Sequence, residues 1–240
     1  MRNTAAFFLL VFCFSTVQAQ DSLSAYSRFF GNYASKGHRF SIGRSEQEVF
    51  FMNYQSLLYR RLLRSGANSF RIENSNGQLA FSDKGDLIYT ENGKTESAKL
   101  SGQPDTEDFL IDNNNEQLGG TLWKPARKKF PVIILVQGAG GGTRYGMRYL
   151  PYFFNSLGYG VVTYDKRGNG VSAGKNKLWV TGIRTLAGDV IKIYQHLQRR
   201  QAVLSAFISM MGISNGGWVI NNAAAELPYV DFISPVAGGY

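Results

Sequence analysis

Cysteine and histidine are nearly absent from this sequence. Among its 240 residues there is one cysteine, Cys13, and there are two histidines, His38 and His196. Thiolate and imidazole groups are the usual protein ligands of zinc and other transition metals. Because the sequence has so few of these residues, we expect no metal site. None of the motifs described below implies an organic cofactor.

The first 19 residues have the composition of a secretory signal peptide. Arg2 supplies a positive charge, residues 5–14 (AAFFLLVFCF) form an apolar core, and Ala19 ends a segment that a signal peptidase accepts. A membrane anchor is the alternative, but a spanning helix needs about 20 apolar residues, and polar residues interrupt this run. We therefore expect cleavage after Ala19 and export to a bacterial periplasm or exterior, with no stable membrane anchor.

Cleavage at this position would also remove the only thiol. The mature chain would then form no disulfide, which is compatible with a bacterial periplasm. Phe12 stands where a lipoprotein signal would have a small residue before Cys13, so we do not expect lipidation.

The formal charge of +9 raises the possibility of a nucleic-acid or anionic-surface partner. The positive residues are scattered in small groups, and no recognisable nucleic-acid motif accompanies them. A solvated surface without a nucleic-acid partner is the preferred interpretation, and an exported basic surface-binding protein is kept as an alternative. The groups are Arg60, Arg61 and Arg64; Lys124, Arg127, Lys128 and Lys129; and Arg199 and Arg200.

Residues 20–104 are predicted to form a small antiparallel β-rich module. Short apolar runs alternate with glycine-containing turns such as Asn76-Gly77 and Asn92-Gly93, which favour tight hairpins because glycine accepts a positive φ. A helix is expected only in the segment 23–33. The predicted strands are 38–42, 49–52, 69–73, 79–81 and 87–89.

After a polar linker at 101–107, residues 105–240 read as an α/β domain. Continuous apolar runs at 130–136 (FPVIILV) and 160–164 are typical of strands buried on both faces of a sheet. Strands that alternate with helices predict a mostly parallel sheet with flanking helices. The predicted strands are 109–111, 118–123, 130–136, 160–164, 207–211 and 230–234, and the predicted helices are 145–157, 185–199 and 217–226.

Ser214 is the candidate nucleophile. It lies between Gly212 and Gly216 in the stretch GISNGG, after one predicted strand and before a helix. A serine held on a sharp strand-to-helix turn needs glycines two residues before and after it, because side chains there would collide with neighbouring elements. An ordinary serine in a glycine-rich turn is the alternative interpretation.

Two further loops follow buried strands. The loop VQGAGGGTR (136–144) exposes backbone N–H groups suited to an oxyanion, and lacks the lysine of a phosphate-binding loop. We expect the oxyanion donors to be the amides of Ala139 and Asn215. In YDKRGNGVSAG (164–174), we expect Asp165 and Arg167 to organise the backbone by charge-assisted hydrogen bonds rather than to act in chemistry.

These stretches together resemble the α/β-hydrolase superfamily, and within it the bacterial serine esterase and serine-aminopeptidase-like branch. QGAGG (137–141), YDKRGNGVS (164–172) and GISNGG (212–217) match three family motifs in order, and LGGTLWKP (118–125) is similar to the opening strand. The resemblance covers residues 105–240. It implies that Gly138, Gly168, Gly212 and Gly216 shape the motifs, and that carboxylic esters or small acyl amides react through an acyl-serine intermediate.

Three departures from the family pattern stand out. Gln137 replaces the histidine that usually orders the oxyanion loop, and Ile213 replaces the histidine often found before the nucleophile. The family also places its acid and histidine after the nucleophile, whereas only 26 residues follow Ser214. His196 on a predicted flanking helix and His38 in the β-rich module are poor substitutes.

These departures lead us to expect an incomplete α/β-hydrolase with a C-terminally truncated chain. Without the triad acid and histidine, an isolated serine hydroxyl is a weak nucleophile, so the chain is expected to be inactive or weakly active. The alternative is a non-catalytic exported protein that binds a ligand or partner and keeps a relic hydrolase domain.

Overall fold

The structure is a computed structural model that describes residue 23 and residues 25–113, 116–175 and 181–238. The expected signal peptide, 1–19, lies outside the described residues. The chain divides into two compact units, Met1–Gln103 and Pro104–Tyr240. Within the described ranges, no helix combines the length and the apolar character that a membrane crossing requires.

The N-terminal unit is a closed eight-stranded antiparallel barrel in which each strand pairs with its neighbours along the chain. The last strand closes the barrel on the first, with Tyr33 opposite Leu100 and Ala34 opposite Lys99. The strands are β1 (Gly31–Ala34), β2 (Arg39–Ser45), β3 (Glu48–Asn53), β4 (Leu58–Gly66), β5 (Ser69–Ile72), β6 (Gln78–Phe81), β7 (Leu87–Glu91) and β8 (Lys94–Gly102).

Aromatic side chains fill the barrel. Phe29 stacks on Phe81 with ring centroids 4.2 Å apart, and Phe40 stacks on Phe51 at 5.6 Å. A barrel of this strand number has an interior just wide enough for side chains to fill, and these rings are buried. The last hairpin turns through Asn92-Gly93, both at positive φ, as the sequence pattern predicts.

Of the helix expected at 23–33, only Leu23 is α-helical among the described residues. Ser27–Phe29 forms one 3-10 turn, and the chain then enters β1. Phe29 and Tyr33 are both buried in the barrel core, and the Tyr33 hydroxyl donates to the Phe29 carbonyl. These two residues therefore pack as part of the barrel rather than along a helix.

The C-terminal unit is a six-stranded sheet in the order β14-β13-β11-β12-β10-β9. Strands β14, β13, β11 and β12 are mutually parallel, whereas β10 runs antiparallel to β12 and β9 antiparallel to β10. Its strands are β9 (Asp105–Asn113), β10 (Glu116–Lys124), β11 (Phe130–Val136), β12 (Gly160–Tyr164), β13 (Val203–Ile213) and β14 (Ile233–Val236), and its helices are α1 (Leu150–Ser156), α2 (Ile183–Gln198) and α3 (Asn215–Glu226).

Helices cover both faces of this sheet. Alternate residues of β11, including Val132 and Ile134, belong to the core shared with α2 and α3. Ile133, between them, is also buried and lies outside that core. On this second face the Tyr152 ring of α1 packs edge-on against Trp123 at 5.2 Å. Burial on both faces explains why β11 reads as an uninterrupted apolar run.

Most elements of this unit begin or end a few residues from the predicted bounds, and two of the differences have a clear physical cause. The helix expected at 145–157 begins only at Leu150, with Pro151 in its first turn, where a missing N–H costs nothing; Arg148 just before it has a positive φ of 56°. The strand expected at 230–234 is formed by Ile233–Val236, because its pairing with β13 sets the register.

Candidate active site

Ser214 lies at the carboxyl end of β13 and caps α3. Its backbone has φ 52° and ψ −121°, a conformation unusual for any residue with a Cβ, and its side chain is exposed. The Ser214 N–H donates to the Val236 carbonyl at 2.7 Å, and the Ser214 carbonyl accepts from the Gly217 N–H at 2.8 Å. This turn presents the hydroxyl at the edge of the sheet.

The two flanking glycines permit the turn because no side chain would fit at either position. A Cβ on Gly212 would lie 2.2 Å from the Gly216 carbonyl oxygen, and a Cβ on Gly216 would lie 2.4 Å from the Val136 oxygen. Backbone atoms cannot yield as flexible side chains do, so β11, β13 and the start of α3 can pack this closely only with glycine there.

The loop after β11 approaches the serine directly. A Cβ built on Gly138 would lie 3.4 Å from Ser214 Cβ and 3.9 Å from its Oγ. The next residue, Ala139, is exposed. Among the described residues, the N–H groups of Ala139 and Asn215 have no hydrogen-bond acceptor. Two backbone donors therefore stand next to the serine in sequence or in space.

The loop at 137–144 is fastened to the segment that follows β12. Gln137 Nε2 donates to the carbonyls of Thr143 at 2.6 Å and Tyr164 at 3.2 Å. The Lys166 ammonium donates to the carbonyls of Gly138 at 2.7 Å and Gly140 at 2.9 Å. Gln137 and Lys166 thus both hold this loop by side-chain hydrogen bonds to backbone carbonyls.

Asp165 forms a buried ion pair with Arg144, and the two residues are 2% and 6% exposed. Its Oδ2 accepts from Arg144 Nη2 at 2.8 Å, and its Oδ1 accepts from the Arg144 N–H at 2.6 Å. Burial opposes ionisation of this carboxyl, but these bonds and one from the Val171 N–H outweigh it and hold the pKa of Asp165 below its ordinary value. The Asp165 carboxylate therefore accepts hydrogen bonds from both backbone N–H groups and the Arg144 guanidinium, as a residue that organises the loop would.

Arg167 makes a second ion pair in the same loop. Its Nη2 lies 2.5 Å from Asp189 Oδ1 on α2, and its Nη1 lies 2.6 Å from Glu116 Oε2. Asp189 also accepts from Asn113 Nδ2 at 2.6 Å. Gly168, at φ 72°, turns the chain directly after this arginine. The pair ties the loop to α2 and to the β9–β10 hairpin.

Neither histidine is placed as the proton acceptor of Ser214: His196 lies far from it in the same unit, and His38 belongs to the other unit. The His196 ring stacks on Phe109 at 5.1 Å, and its Nε2 lies 3.0 Å from Arg200 Nη1. Phe109 belongs to β9, four strand spacings of about 4.8 Å from β13. Burial, followed by the charges of Arg200 and Arg199, lowers the pKa of His196. His38 belongs to the N-terminal unit, where its Nδ1 lies 2.6 Å from Glu96.

Sequence reasoning missed Lys166 and Arg144 as parts of this site. Their partners are 21 to 28 residues away along the chain, so no local spacing reveals them. The one available signal was charge directly after or near a buried strand, where a charged side chain needs a partner. Within the described ranges, no group of three His, Cys, Asp or Glu residues could hold a metal ion.

The C-terminal unit is similar in sequence and fold to known hydrolases. Residues 128–234 match the family described as serine aminopeptidase, S33. The C-terminal fold is similar to that of the α/β-hydrolase GrgF from Penicillium sp. sh18, with a TM-score of 0.51 and 22% identity over 56% of this chain and 46% of that one. An esterase from Pyrococcus furiosus is 24% identical over 53% of this chain and 49% of that one, with a TM-score of 0.46.

A curated relative comes from Escherichia coli. It is described as an uncharacterized 31.7 kDa protein in the traX-finO intergenic region, and it is 29% identical over 98 residues, or 41% of this chain. The chain spans 34% of that relative's length and less than half of each of the two structures. The family match, 128–234, falls on the C-terminal unit and includes the strand, turn and helix around Ser214.

Proposed function

We propose, from the match of residues 128–234 to the serine aminopeptidase S33 family and the fold similarity to an α/β-hydrolase, that this chain is a serine hydrolase-type protein for carboxylic esters or small acyl amides. The match to the S33 family supports hydrolase chemistry at the coarse level. The single observation that supports Ser214 as its nucleophile is the backbone at φ 52° between β13 and α3, with an exposed side chain. Strain of this kind accumulates at functional positions.

The proposed chemistry proceeds through an acyl-serine. Ser214 Oγ attacks the carbonyl carbon and forms a new C–O bond, and the carbonyl electron pair moves to its oxygen. The N–H groups of Ala139 and Asn215 would stabilise this oxyanion. The tetrahedral species then expels the alcohol or amine, which leaves with a proton, and water releases the acid from Ser214.

The serine proton must be accepted during attack, and the described residues of the C-terminal unit place no histidine within reach. Solvent water at the exposed Oγ is then the acceptor. Because the loss of triad members lowers the rate by several orders of magnitude while the oxyanion donors still act, we propose slow acylation by the described chain.

A fluorophosphonate probe tests this proposal. It reacts with a serine nucleophile whose product oxygen is stabilised by the same donors, so mass spectrometry should find slow labelling of Ser214. Added imidazole should accelerate labelling by acting as the proton acceptor. Ser214→Ala should lose the label, whereas Ser156→Ala, which removes another exposed hydroxyl, should keep it. No label on folded wild-type protein with imidazole, or equal label in Ser214→Ala, would overturn the proposal.

A non-catalytic protein that binds a small molecule or a partner is the second candidate. The specific observation in its favour is the position of His196, which is stacked on Phe109 far from the serine. In that case the turn at Ser214 is retained only for packing. The same labelling experiment decides between the two candidates, since a relic serine stays unlabelled with and without imidazole.

A further inference from the structure

Both the side-chain ammonium and the backbone N–H of Lys166 donate hydrogen bonds to the candidate oxyanion loop, residues 137–144. Its ammonium donates to the carbonyls of Gly138 and Gly140, and its backbone N–H donates to the carbonyl of Gly142 at 3.0 Å. One residue thus holds three alternate carbonyls of a single loop. Neither the proposed nucleophile nor the proposed donors account for this arrangement.

The burial of this lysine is unusual. Its side chain is 3% exposed, and among the described residues it forms no ion pair with a carboxylate. Burial lowers the pKa of Lys166, and the charge of Asp189 opposes this effect. An ammonium buried on carbonyl oxygens alone is costly unless its position serves a purpose, so the contact with the loop requires an explanation.

Peptide geometry supplies that explanation. A trans peptide is planar, and its C=O and N–H point in opposite directions; the described chain contains no cis peptide. When Lys166 draws the Gly138 oxygen toward itself, the N–H of the same peptide, which belongs to Ala139, must point away from the lysine. A Cβ built on Gly138 would lie 3.4 Å from Ser214 Cβ, so this peptide borders the space beside the serine hydroxyl.

We propose that Lys166 is a positioning residue that fixes the Gly138–Ala139 peptide plane and thereby aims the Ala139 N–H as an oxyanion donor. This inference rests on the proposed function and extends it to a residue that does not touch the substrate. The ammonium acts as a hydrogen-bond donor to the loop, not as the proton acceptor of Ser214. A neutral side chain of similar length would leave both carbonyls without their donor and free the peptide to rotate.

The test compares Lys166→Met with Lys129→Met. Both remove one positive charge, but Lys129 is exposed in the loop before β11. Because loss of one oxyanion donor costs roughly 100- to 1,000-fold in rate, we expect partial misalignment in Lys166→Met to slow Ser214 labelling by about 10- to 100-fold. Lys129→Met should label like the wild type. The 31P chemical shift of the phosphonylated serine should move only in Lys166→Met, because its phosphonyl oxygen loses a donor.

A chemical rescue separates positioning from a structural role. Lys166→Cys, made together with Cys13→Ser so that the introduced thiol is the only one, is alkylated with bromoethylamine while unfolded and then refolded. The product restores an ammonium at nearly the lysine length, and labelling should return toward the wild-type rate. This rescue also decides the matter if Lys166→Met does not fold.

The outcomes separate the two proposals. Wild-type labelling rate and an unmoved 31P shift in folded Lys166→Met, or no recovery after aminoethylation, would overturn the role of Lys166 while leaving Ser214 as the nucleophile. If the wild type is not labelled, the proposed function fails. The amide resonance of Ala139 in the unreacted protein then decides the positioning claim. It shifts in Lys166→Met if the hydrogen bonds from the Lys166 ammonium orient that peptide, and otherwise stays unchanged.

Discussion

At the scale of single residues, Ser214 combines an exposed hydroxyl with a backbone that only glycine adopts readily. Residues held in sparsely populated regions cost about 1–3 kcal/mol each and persist where the surrounding structure fixes them. Here the bond from the Ser214 N–H to Val236 and the close-packed glycines on either side fix the conformation. We therefore expect the conformation of Ser214 to lower the free energy of unfolding while it exposes the hydroxyl for reaction.

Ser214→Gly should be more stable than Ser214→Ala. Both variants lose the hydroxyl, but only glycine relieves the positive φ, a gain of about 1–3 kcal/mol reduced by the extra chain entropy of glycine, about 0.5–1 kcal/mol. We expect a net difference of about 1 kcal/mol in the free energy of unfolding, measured by urea denaturation. Equal stability, or a less stable glycine variant, would show that the turn is unstrained.

Asp165→Asn should lower stability in a pH-dependent way. The pKa of Asp165 is lowered in the folded chain, so its ion pair with Arg144 stabilises the fold above the ordinary aspartate pKa of about 3.9. That stabilisation is lost as the pH falls through the lowered folded value, because the unfolded chain binds the proton first. At neutral pH, Arg144 would keep only the exposed Asp108 carboxylate, 3.1 Å from its Nη1, as an ion-pair partner, so the substitution should cost up to about 3–5 kcal/mol.

Denaturation of the wild type and Asp165→Asn over a range of pH checks this expectation. The difference between their free energies of unfolding should be largest near neutral pH and should shrink below the ordinary aspartate value. A difference that stays constant down to acid pH would mean that the carboxylate charge does not stabilise this loop.

Local spacing was enough to predict the turn at Ser214, since both flanking glycines lie within two residues of it. The hydrogen bond from the Lys166 ammonium to the Gly138 carbonyl was not predictable in this way. It joins residues 28 apart, and only the parallel pairing of β11 with β12 brings their loops together. Sequence patterns thus reveal the part of the site that is contiguous in the chain.

At the scale of secondary structure elements, the contact between β11 and α3 determines whether the turn can form. Two of the helix glycines, Gly216 and Gly188, provide a matched comparison. A Cβ at Gly216 meets the backbone oxygens of Val136 and Gln137 at 2.4 and 2.8 Å, whereas a Cβ at Gly188 in α2 meets nothing within 4 Å. The same substitution should therefore have opposite effects at the two positions.

Gly216→Ala should destabilise the chain by about 1–3 kcal/mol or more, as expected of overpacking against rigid atoms. Gly188→Ala should stabilise it by about 0.8–1 kcal/mol, the helix propensity difference. Urea denaturation of both variants measures these changes. Stabilisation by both substitutions would refute the close approach of α3 to the β11 carbonyl end.

Elements differ in how well the sequence specifies them. The runs 130–136 and 160–164 were predicted with the bounds that β11 and β12 have, because both strands are buried on both faces and are almost entirely apolar, with Thr163 as the exception. Strands β4 and β8 were not predicted, since each has a single buried residue, Leu62 and Ala98 respectively, and therefore no alternating apolar pattern. Their pairing in the closed barrel, rather than their own composition, keeps them extended.

At the scale of the whole molecule, the chain is expected to be processed and exported. Protein recovered from a bacterial periplasm or culture medium should begin at Gln20, and its intact mass should not change with N-ethylmaleimide, because cleavage after Ala19 removes Cys13. N-terminal sequencing checks the first point and mass spectrometry the second. Recovery of chains that retain Met1 in the membrane fraction would instead favour an anchor.

The two units pose different questions of prediction. The sequence indicated β structure for the first unit, but closure into a barrel depends on β1 meeting β8 across nearly 70 residues. For the second unit, three motifs in order produced the resemblance to the α/β-hydrolase fold, and each motif lies at the carboxyl end of a strand. Fold recognition there depended on motif order, not on exact strand ends.

The central claim is that Ser214 faces an oxyanion site formed by the amides of Ala139 and Asn215. A crystal structure of the fluorophosphonate-treated protein tests it most directly. The account predicts a phosphonyl group on Ser214 Oγ with its free oxygen about 2.7–3.1 Å from both amide nitrogens. A phosphonyl oxygen pointing to solvent away from both nitrogens, or no group on Ser214 after treatment with imidazole present, would contradict it.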